Sequence, residues 1–519
     1  MSMLTQLDDY HRLLMAISEQ DIPQLRQIIN LAMHNGARYG ASDLDIATLI
    51  FHLGGRQLLF ALNQSLGLPS IRTLRTRSTF TTLTPTIGPI QNEQLDENIR
   101  SVVLSSCTNI TILRGVSLMV DEIALEEMVV HLGKYNKIAG LCWKHLHVVD
   151  PVLRTYDSAV TIAQKIQDGD VHLGKELTVI GVACFGEDEL YPILAVPTCK
   201  TEDARDMEGL LARAIEWWNA TGAASVIGPV WSFATDGDAT RRAVGHRLFL
   251  RNALSPDSEL YGILGNMPGL NTMTGDAEVT LDFDFKHIFK RFCTLIRSPA
   301  GIILNNGRMI NSMMLARYLV WLPAYDETSL MQAIVDFSKS QHTLLNDSFS
   351  SNVETRADLM SITLLSHVIE SILTPFINTK LSLSEQVHHL SCYSHLTFTI
   401  FHVHRWSFMP FQLYYDTQTA VKNIIFNIAK QQLLDPNRSF FLGDSKDIDG
   451  VFKRHPELDP GHQHLSLGKH IKDVDHINRQ MWRGDIISAW RRGREIALLI
   501  LTSLQIDPIN YSFAELFCD

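Results

Sequence analysis

Between residues 8 and 68 apolar side chains return at every third or fourth position, as in Ile46, Leu49, Ile50 and Leu53 and again in Leu58, Leu59 and Leu62. That spacing gathers them on one helix face, so the chain is predicted to begin with a helical region. Gly67, Leu68, Pro69 and Ser70 break it, and Ser70 is placed to start a new helix in the basic stretch Ile71-Arg72-Thr73-Leu74-Arg75-Thr76-Arg77. Residues 1–77 are therefore expected to be helical and helix-turn-helix-like, with Arg72, Arg75 and Arg77 as DNA contacts. The plainer reading of these arginines is a solvated helix face. The Thr- and Pro-rich run that follows reads as a linker, taken over 78–100.

The pattern then changes. Residues 110–120 form an apolar run that ends on Asp121 and Glu122, and strand-like runs follow at 137–143 and at 176–185 with a continuation at 190–196. Residues 203–219 have helical spacing, and a further apolar run at 224–234 ends on Asp236 and Asp238. Three strands, a helix and a fourth strand, with acids closing the first and the fourth, is the order of an RNase H-like fold, where those two strands lie side by side. Periodicity by itself gives only an α/β pattern. The expected class is thus α/β, with an RNase H-like mixed-sheet core over 101–306. A large helical insertion over 307–424 and a C-terminal return over 425–519, ending in an amphipathic helix, complete the chain.

Composition narrows the function. With 45% hydrophobic and 19% charged residues and a mean hydropathy of +0.03, the 519-residue chain is of the folded, globular kind. A net charge of −11 excludes whole-surface attraction to nucleic acid, so DNA contact must come from local patches. Candidate cations beyond the first region are Arg241, Arg242, Lys286, Lys290, Arg291, Arg491, Arg492 and Arg494. Asp284, His287 and Lys290 share a helix face, and with Lys286 they are candidates for phosphate contact; a capped, exposed helix start is the plainer account. Seven dispersed cysteines without a CxxC pair suit a reducing compartment and supply no zinc finger. His388, His389, His395, His402 and His404 match no standard zinc spacing and read as packing or surface residues. No stretch approaches the roughly 18 uncharged apolar residues of a membrane span, so a soluble, intracellular protein without a membrane partner is expected.

Acids closing adjacent strands suggest phosphodiester chemistry, which with two metals needs carboxylates from separate elements converging on ions about 3.5–4 Å apart. Asp121 would bridge the ions, Asp236 would hold one, and Asp238 is the nearest substitute; Mg²⁺ or Mn²⁺ suits such oxygen donors. The simpler alternative is acids that solvate loop starts.

Several segments resemble P-element-like transposases, including the THAP-domain transposases, and more closely a set of fungal transposase-derived proteins. The resemblance rests on Leu68-Pro69-Ser70-Ile71-Arg72-Thr73-Leu74, Leu118-Met119-Val120-Asp121-Glu122, Phe233-Ala234-Thr235-Asp236-Gly237-Asp238 and Asp284-Phe285-Lys286-His287-Ile288-Phe289-Lys290-Arg291. Weaker similarity continues at 381–391, 415–423 and 475–485. It implies a DDE catalytic core, an insertion that binds GTP in the P-element branch, and a third carboxylate on a helix after the insertion. It also implies DNA as a partner, a homo-oligomer and a nuclear location. Asp121 and Asp236 match the first two acids. At the third the chain departs, because Phe441-Leu442-Gly443-Asp444-Ser445-Lys446 passes directly to Asp447-Ile448-Asp449, and the block that holds the catalytic Glu in the relatives is missing. The N-terminal zinc-binding module is missing as well. The resemblance thus implies a transposase-derived DNA-binding protein impaired in catalysis. One alternative is an active nuclease in which Asp444, Asp447 or Asp449 serves as third acid. The other is a nucleotide- or protein-binding module without chemistry, although no GxxxxGK[ST] loop is present.

Overall fold

The helical spacing around Ile50 and Leu59 is realised in α1 (Ala41–Leu66), which ends at Gly67 in the left-handed conformation (φ +68°) that glycine adopts without a Cβ penalty. Ser70 then accepts the Thr73 N–H at 3.2 Å and opens α2 (Ile71–Arg77), and Ala47, Leu59 and Leu74 form a small core between the two helices. The computed structural model describes residues 39–77, 83–104, 114–133, 135–185, 190–304, 307–319, 327–341, 353–378, 381–435 and 483–506. The chain divides into two compact units, residues 1–82 and 83–519, the first containing α1 and α2.

The second unit starts earlier than the sequence suggested. Residues 83–104 were expected to be largely linker, but α3 (Asn92–Asn98) and the turn after it bury Leu95, Ile99 and Val103 completely. Asn98, also fully buried, bonds the Thr84 backbone and the Ile193 carbonyl at 3.0 Å, which ties the segment to the sheet.

Five strands build that sheet: β1 (Val116–Ala124), β2 (Glu176–Cys184), β3 (Leu190–Thr198), β4 (Val230–Thr235) and β5 (Thr280–Phe283). Their order is β3-β2-β1-β4-β5; β1 and β3 run antiparallel to β2, while β1, β4 and β5 are parallel to one another. This is the RNase H-like mixed sheet expected from the sequence. One strand differs. Lys137–Ala139 pairs with Val130–Leu132 as a separate ribbon, and the second and third sheet strands both come from the 176–198 run. The ribbon belongs to an excursion between β1 and β2 that also contains α4 (Tyr156–Gln167) and has its own small core of Leu141, Leu146, Ile162 and Val171.

The crossover from β3 to β4 is α5 (Ala204–Ala220). Asp203 caps it by accepting the Arg205 and Asp206 N–H groups, and Met207, Leu210, Leu211, Ala214 and Trp218 are its buried face. After β4 comes α6 (Ala239–Phe249), and after β5 comes α7 (Phe285–Arg297). Longer helices follow: α8 (Glu327–Gln341), α9 (Val353–Ile377), α10 (Leu383–His404), α11 (Phe411–Leu434) and α12 (Arg483–Ser503). By length and composition α9 suffices to cross a membrane, which the sequence reading had not expected of any stretch. Its apolar window is nonetheless 72% buried within the fold, as a core helix is.

α11 packs on β5 and β4, with Thr280 Oγ1 donating to Asn423 Oδ1 at 2.6 Å and Lys430 Nζ donating to the Trp231 carbonyl at 2.7 Å. The chain has therefore returned to the sheet by Phe411, inside the range expected to be insertion. The signal was hidden by polarity. Asp416, Gln418, Lys422, Asn423, Asn427 and Lys430 are all buried, beside an apolar row of Leu413, Val421, Ile424 and Ile428, so polarity does not mark which sides of α11 are covered.

Candidate functional site

Alternation along β1 sends Val116, Leu118 and Val120 into the main core, and Met119 into a second cluster with Ala183 and Ala234 on the neighbouring strands. Asp121 follows Met119 on the same face. Met119 pairs with Ala234 as the last pair of the parallel β1–β4 ladder, and Asp121 on β1 and Asp236 just past β4 each lie two residues beyond it. The two acids singled out from the sequence thus share one end of the sheet.

What lies against them is a guanidinium. Arg241, on the first turn of α6, donates from Nη1 to Asp236 Oδ1 at 2.8 Å and pairs through Nη2 with Glu122. Its side chain is 3% exposed. Burial pulls its pKa down to about 10, with Asp121 acting in the opposite sense, so it remains a cation at neutral pH. Asp236 Oδ1 also accepts the Asp238 N–H at 2.9 Å and the Thr235 hydroxyl at 3.4 Å. Asp238 is the N-cap of α6, with Oδ1 accepting the Thr240 N–H at 2.8 Å and the Arg241 N–H at 3.4 Å. In this arrangement Asp238 organises a helix start.

A second network fixes the loop that carries Asp236. Asp416 on α11 takes a two-pronged bond from Arg242, at 2.7 and 2.8 Å, and a further bond from Arg291. The same arginines reach back to the loop: Arg242 Nη2 donates to the Gly237 carbonyl at 2.6 Å and Arg291 Nη2 to the Asp236 carbonyl at 2.7 Å. Gly237 has φ +82°, and a Cβ there would lie 2.9 Å from Arg291 Nη2 and 3.0 Å from Asp416 Oδ2, so the crossing needs glycine. Burial raises the Asp416 pKa, against the pull of Arg242 and then Arg291. Arg241, Arg242 and Arg291, named from the sequence as DNA contacts, are thus engaged in internal ion pairs.

Two more acids lie at this end of the sheet. Asp282 on β5 pairs in register with Ala234, is fully enclosed, and burial pushes its carboxyl up to about 8. Asp284 caps α7 by accepting the Lys286 N–H at 2.8 Å and holds His287 Nδ1 at 2.9 Å. Lys286 is itself buried at 7% exposure, unlike a surface phosphate contact, whereas His287 and Lys290 are partly exposed. Arg72 is exposed on α2, and the side chains of Arg75 and Arg77 lie outside the described residues. So do the substitute acids Asp444, Asp447 and Asp449. Of the five histidines, His395 is buried on α10 with Nδ1 at 2.7 Å from the Ser391 carbonyl, and burial lowers its pKa to about 4.

These residues do not fit a pair of divalent ions as they stand. Asp236 Oδ1 is filled by three donors, Asp238 is committed to a cap, and a metal between Asp121 and Asp236 would meet the Arg241 guanidinium. Glu122 and Asp416 were not singled out from the sequence as site residues, and Arg241 was named only as a cation that could meet DNA. Glu122 and Arg241 adjoin the two recognised acids, but only the fold brings Asp416 to them.

Neither a protein-family model nor a curated protein matches this sequence. Among solved structures, the Drosophila P element transposase strand transfer complex is similar at 10% sequence identity and a TM-score of 0.45, over 96% of this chain and 100% of that chain. At that level of likeness it is the strand order described above that defines the fold.

Proposed function

We propose that this chain is a transposase-derived DNA-binding protein whose RNase H-like core does not cut DNA. The observation that carries the reading is Arg241, a buried guanidinium paired with Asp236 and Glu122 at the sheet end where a nuclease of this fold needs divalent ions. A fixed organic cation neutralises the carboxylates but supplies no activated water and no Lewis acid. The sequence resemblance at Asp121, at Asp236 and along 284–291 supports the ancestry, and the missing third-acid block supports the loss. DNA contact is assigned to exposed cations such as Arg72, Arg491 and Arg492, because the overall charge is −11.

Fluorescence anisotropy with a labelled duplex in chelator is expected to report metal-independent binding that weakens steeply as salt rises. Arg72→Ala is expected to reduce the salt slope by about one contact. Binding that requires Mg²⁺ or Mn²⁺, or no binding at low salt, would contradict the proposal.

A further inference from the structure

The excursion between β1 and β2 brings together sulfur and nitrogen donors from segments far apart in sequence. Cys142, His145 and Cys199 each offer a ligand atom, and these atoms all lie within 4.8 Å of one another. His172 joins them, its Nδ1 3.4 Å from Cys199 Sγ and its ring 4.1 Å from that of His145. Main-chain bonds hold the three segments in place. The Cys142 N–H donates to the His172 carbonyl at 2.9 Å, the Trp143 N–H to Pro197 at 3.0 Å, and the Gly174 N–H to Gly140 at 2.8 Å.

We propose that Cys142, Cys199, His145 and His172 form a structural Zn²⁺ site. Zinc takes four tetrahedral N and S donors at about 2.0–2.3 Å; Cys142, His145 and Cys199 supply three clustered within 4.8 Å of one another, and His172, with Nδ1 3.4 Å from Cys199 Sγ, is the candidate for the fourth position. His172 has the arrangement of a metal ligand: Nε2 lies 3.2 Å from the Gly169 carbonyl and donates to it in the tautomer that leaves Nδ1 as the lone-pair nitrogen facing Cys199. Both cysteines are buried, at 0% and 2% exposure, and Cys142 Sγ is 3.0 Å from Glu202 Oε1. Metal binding would replace the thiol protons, and Glu202, which also accepts the Cys199 N–H at 3.0 Å, would remain as a neighbour orienting the loop. Four protein ligands close the site, which makes the role structural. The excursion's core is small, and a metal would fasten it to the end of β3, where binding energy becomes folding energy. The absence of a CxxC pair had argued against zinc, but that rule reads cysteine pairs, whereas here a C-x-x-H pair, Cys142 and His145, meets His172 and Cys199 from other segments.

The full chain, purified without chelator, is expected to hold one Zn²⁺ by mass spectrometry and to release it when its thiols are titrated with a mercurial. Stripped and reloaded with Co²⁺, it should show a thiolate charge-transfer band and intense visible bands of a tetrahedral ion. Cys142→Ser and Cys199→Ser should each abolish the stoichiometric metal, while Cys184→Ser and Cys293→Ser, at buried cysteines elsewhere, leave it at one. The proposal is overturned if the wild-type protein gives no thiolate–Co²⁺ band, if Cys142 and Cys199 are found disulfide-bonded, or if both serine variants retain full metal.

Discussion

Arg241 is the residue on which the reading of the site turns, and two measurable consequences follow from its burial. Truncating one partner of a buried ion pair leaves the other charges unpaired and costs about 3–5 kcal/mol. Arg241→Ala is therefore expected to lower the urea midpoint sharply, since Asp236, Glu122 and Asp121 would then repel one another. If the guanidinium stands where a metal would, Mn²⁺ should restore much of that loss in Arg241→Ala and add little to the wild-type protein. Equal stabilisation of both by Mn²⁺ would place the ion elsewhere. Asp282 gives a pH signature of its own. Its carboxyl titrates at about 8 when folded and at about 4 when unfolded, so its contribution is fully present below pH 4. As pH rises from about 4 to 8 the unfolded chain ionises first and stability is lost. Asp282→Asn cannot ionise, so the variant should become progressively more stable relative to wild type from pH 5 to pH 8. Parallel urea midpoints across that range would contradict the assignment.

At the level of elements, legibility tracked apolar contrast. β1 and β4 were readable because mostly apolar runs, Val116 to Val120 and Val230 to Ala234, each broken by one serine, give way to acids. α3 was hidden in a polar stretch whose few apolar residues, Leu95 and Ile99, nevertheless reach the core. α11 was visible as a helix but not as a sheet-packing one, because amide, hydroxyl and ammonium groups are buried on it beside its apolar residues. Those buried groups predict a second pH effect of opposite sign. Burial lowers both Lys422 and Lys430 to about 7, below the ordinary value of about 10.4. Below pH 7 both states are protonated and the folded state bears the full cost of two buried ammonium groups. Between about 7 and 10 the folded state gives up its protons first, so stability should rise with pH. Above pH 8, where Asp282 no longer opposes it, this rise should be plain in the wild-type urea midpoint and smaller in Lys430→Met. An unchanged slope in that variant would mean that Lys430 titrates normally.

For the whole molecule, the adjacency of β1 and β4 was accessible from sequence because RNase H-like topology makes those two strands neighbours. The partners of Asp121 and Asp236 were not. The ion pairs of Arg242 and Arg291 with Asp416 span 174 and 125 positions, and nothing in local periodicity marks them. The Cys142, His145, His172 and Cys199 cluster was equally hidden, being assembled from loops rather than from one element. The molecule is built on an RNase H-like sheet whose acidic end is closed by its own arginines. The most direct test of that closure is nicking of supercoiled plasmid in Mg²⁺ and in Mn²⁺, with the wild-type chain beside Asp121→Ala and Asp236→Ala. All three are expected to leave the plasmid intact at concentrations where DNA is bound. Nicking by the wild-type chain that both substitutions abolish would contradict that closure, and would mean that Arg241 yields its place to metal and that a further acid, such as Asp444, Asp447 or Asp449, completes the site.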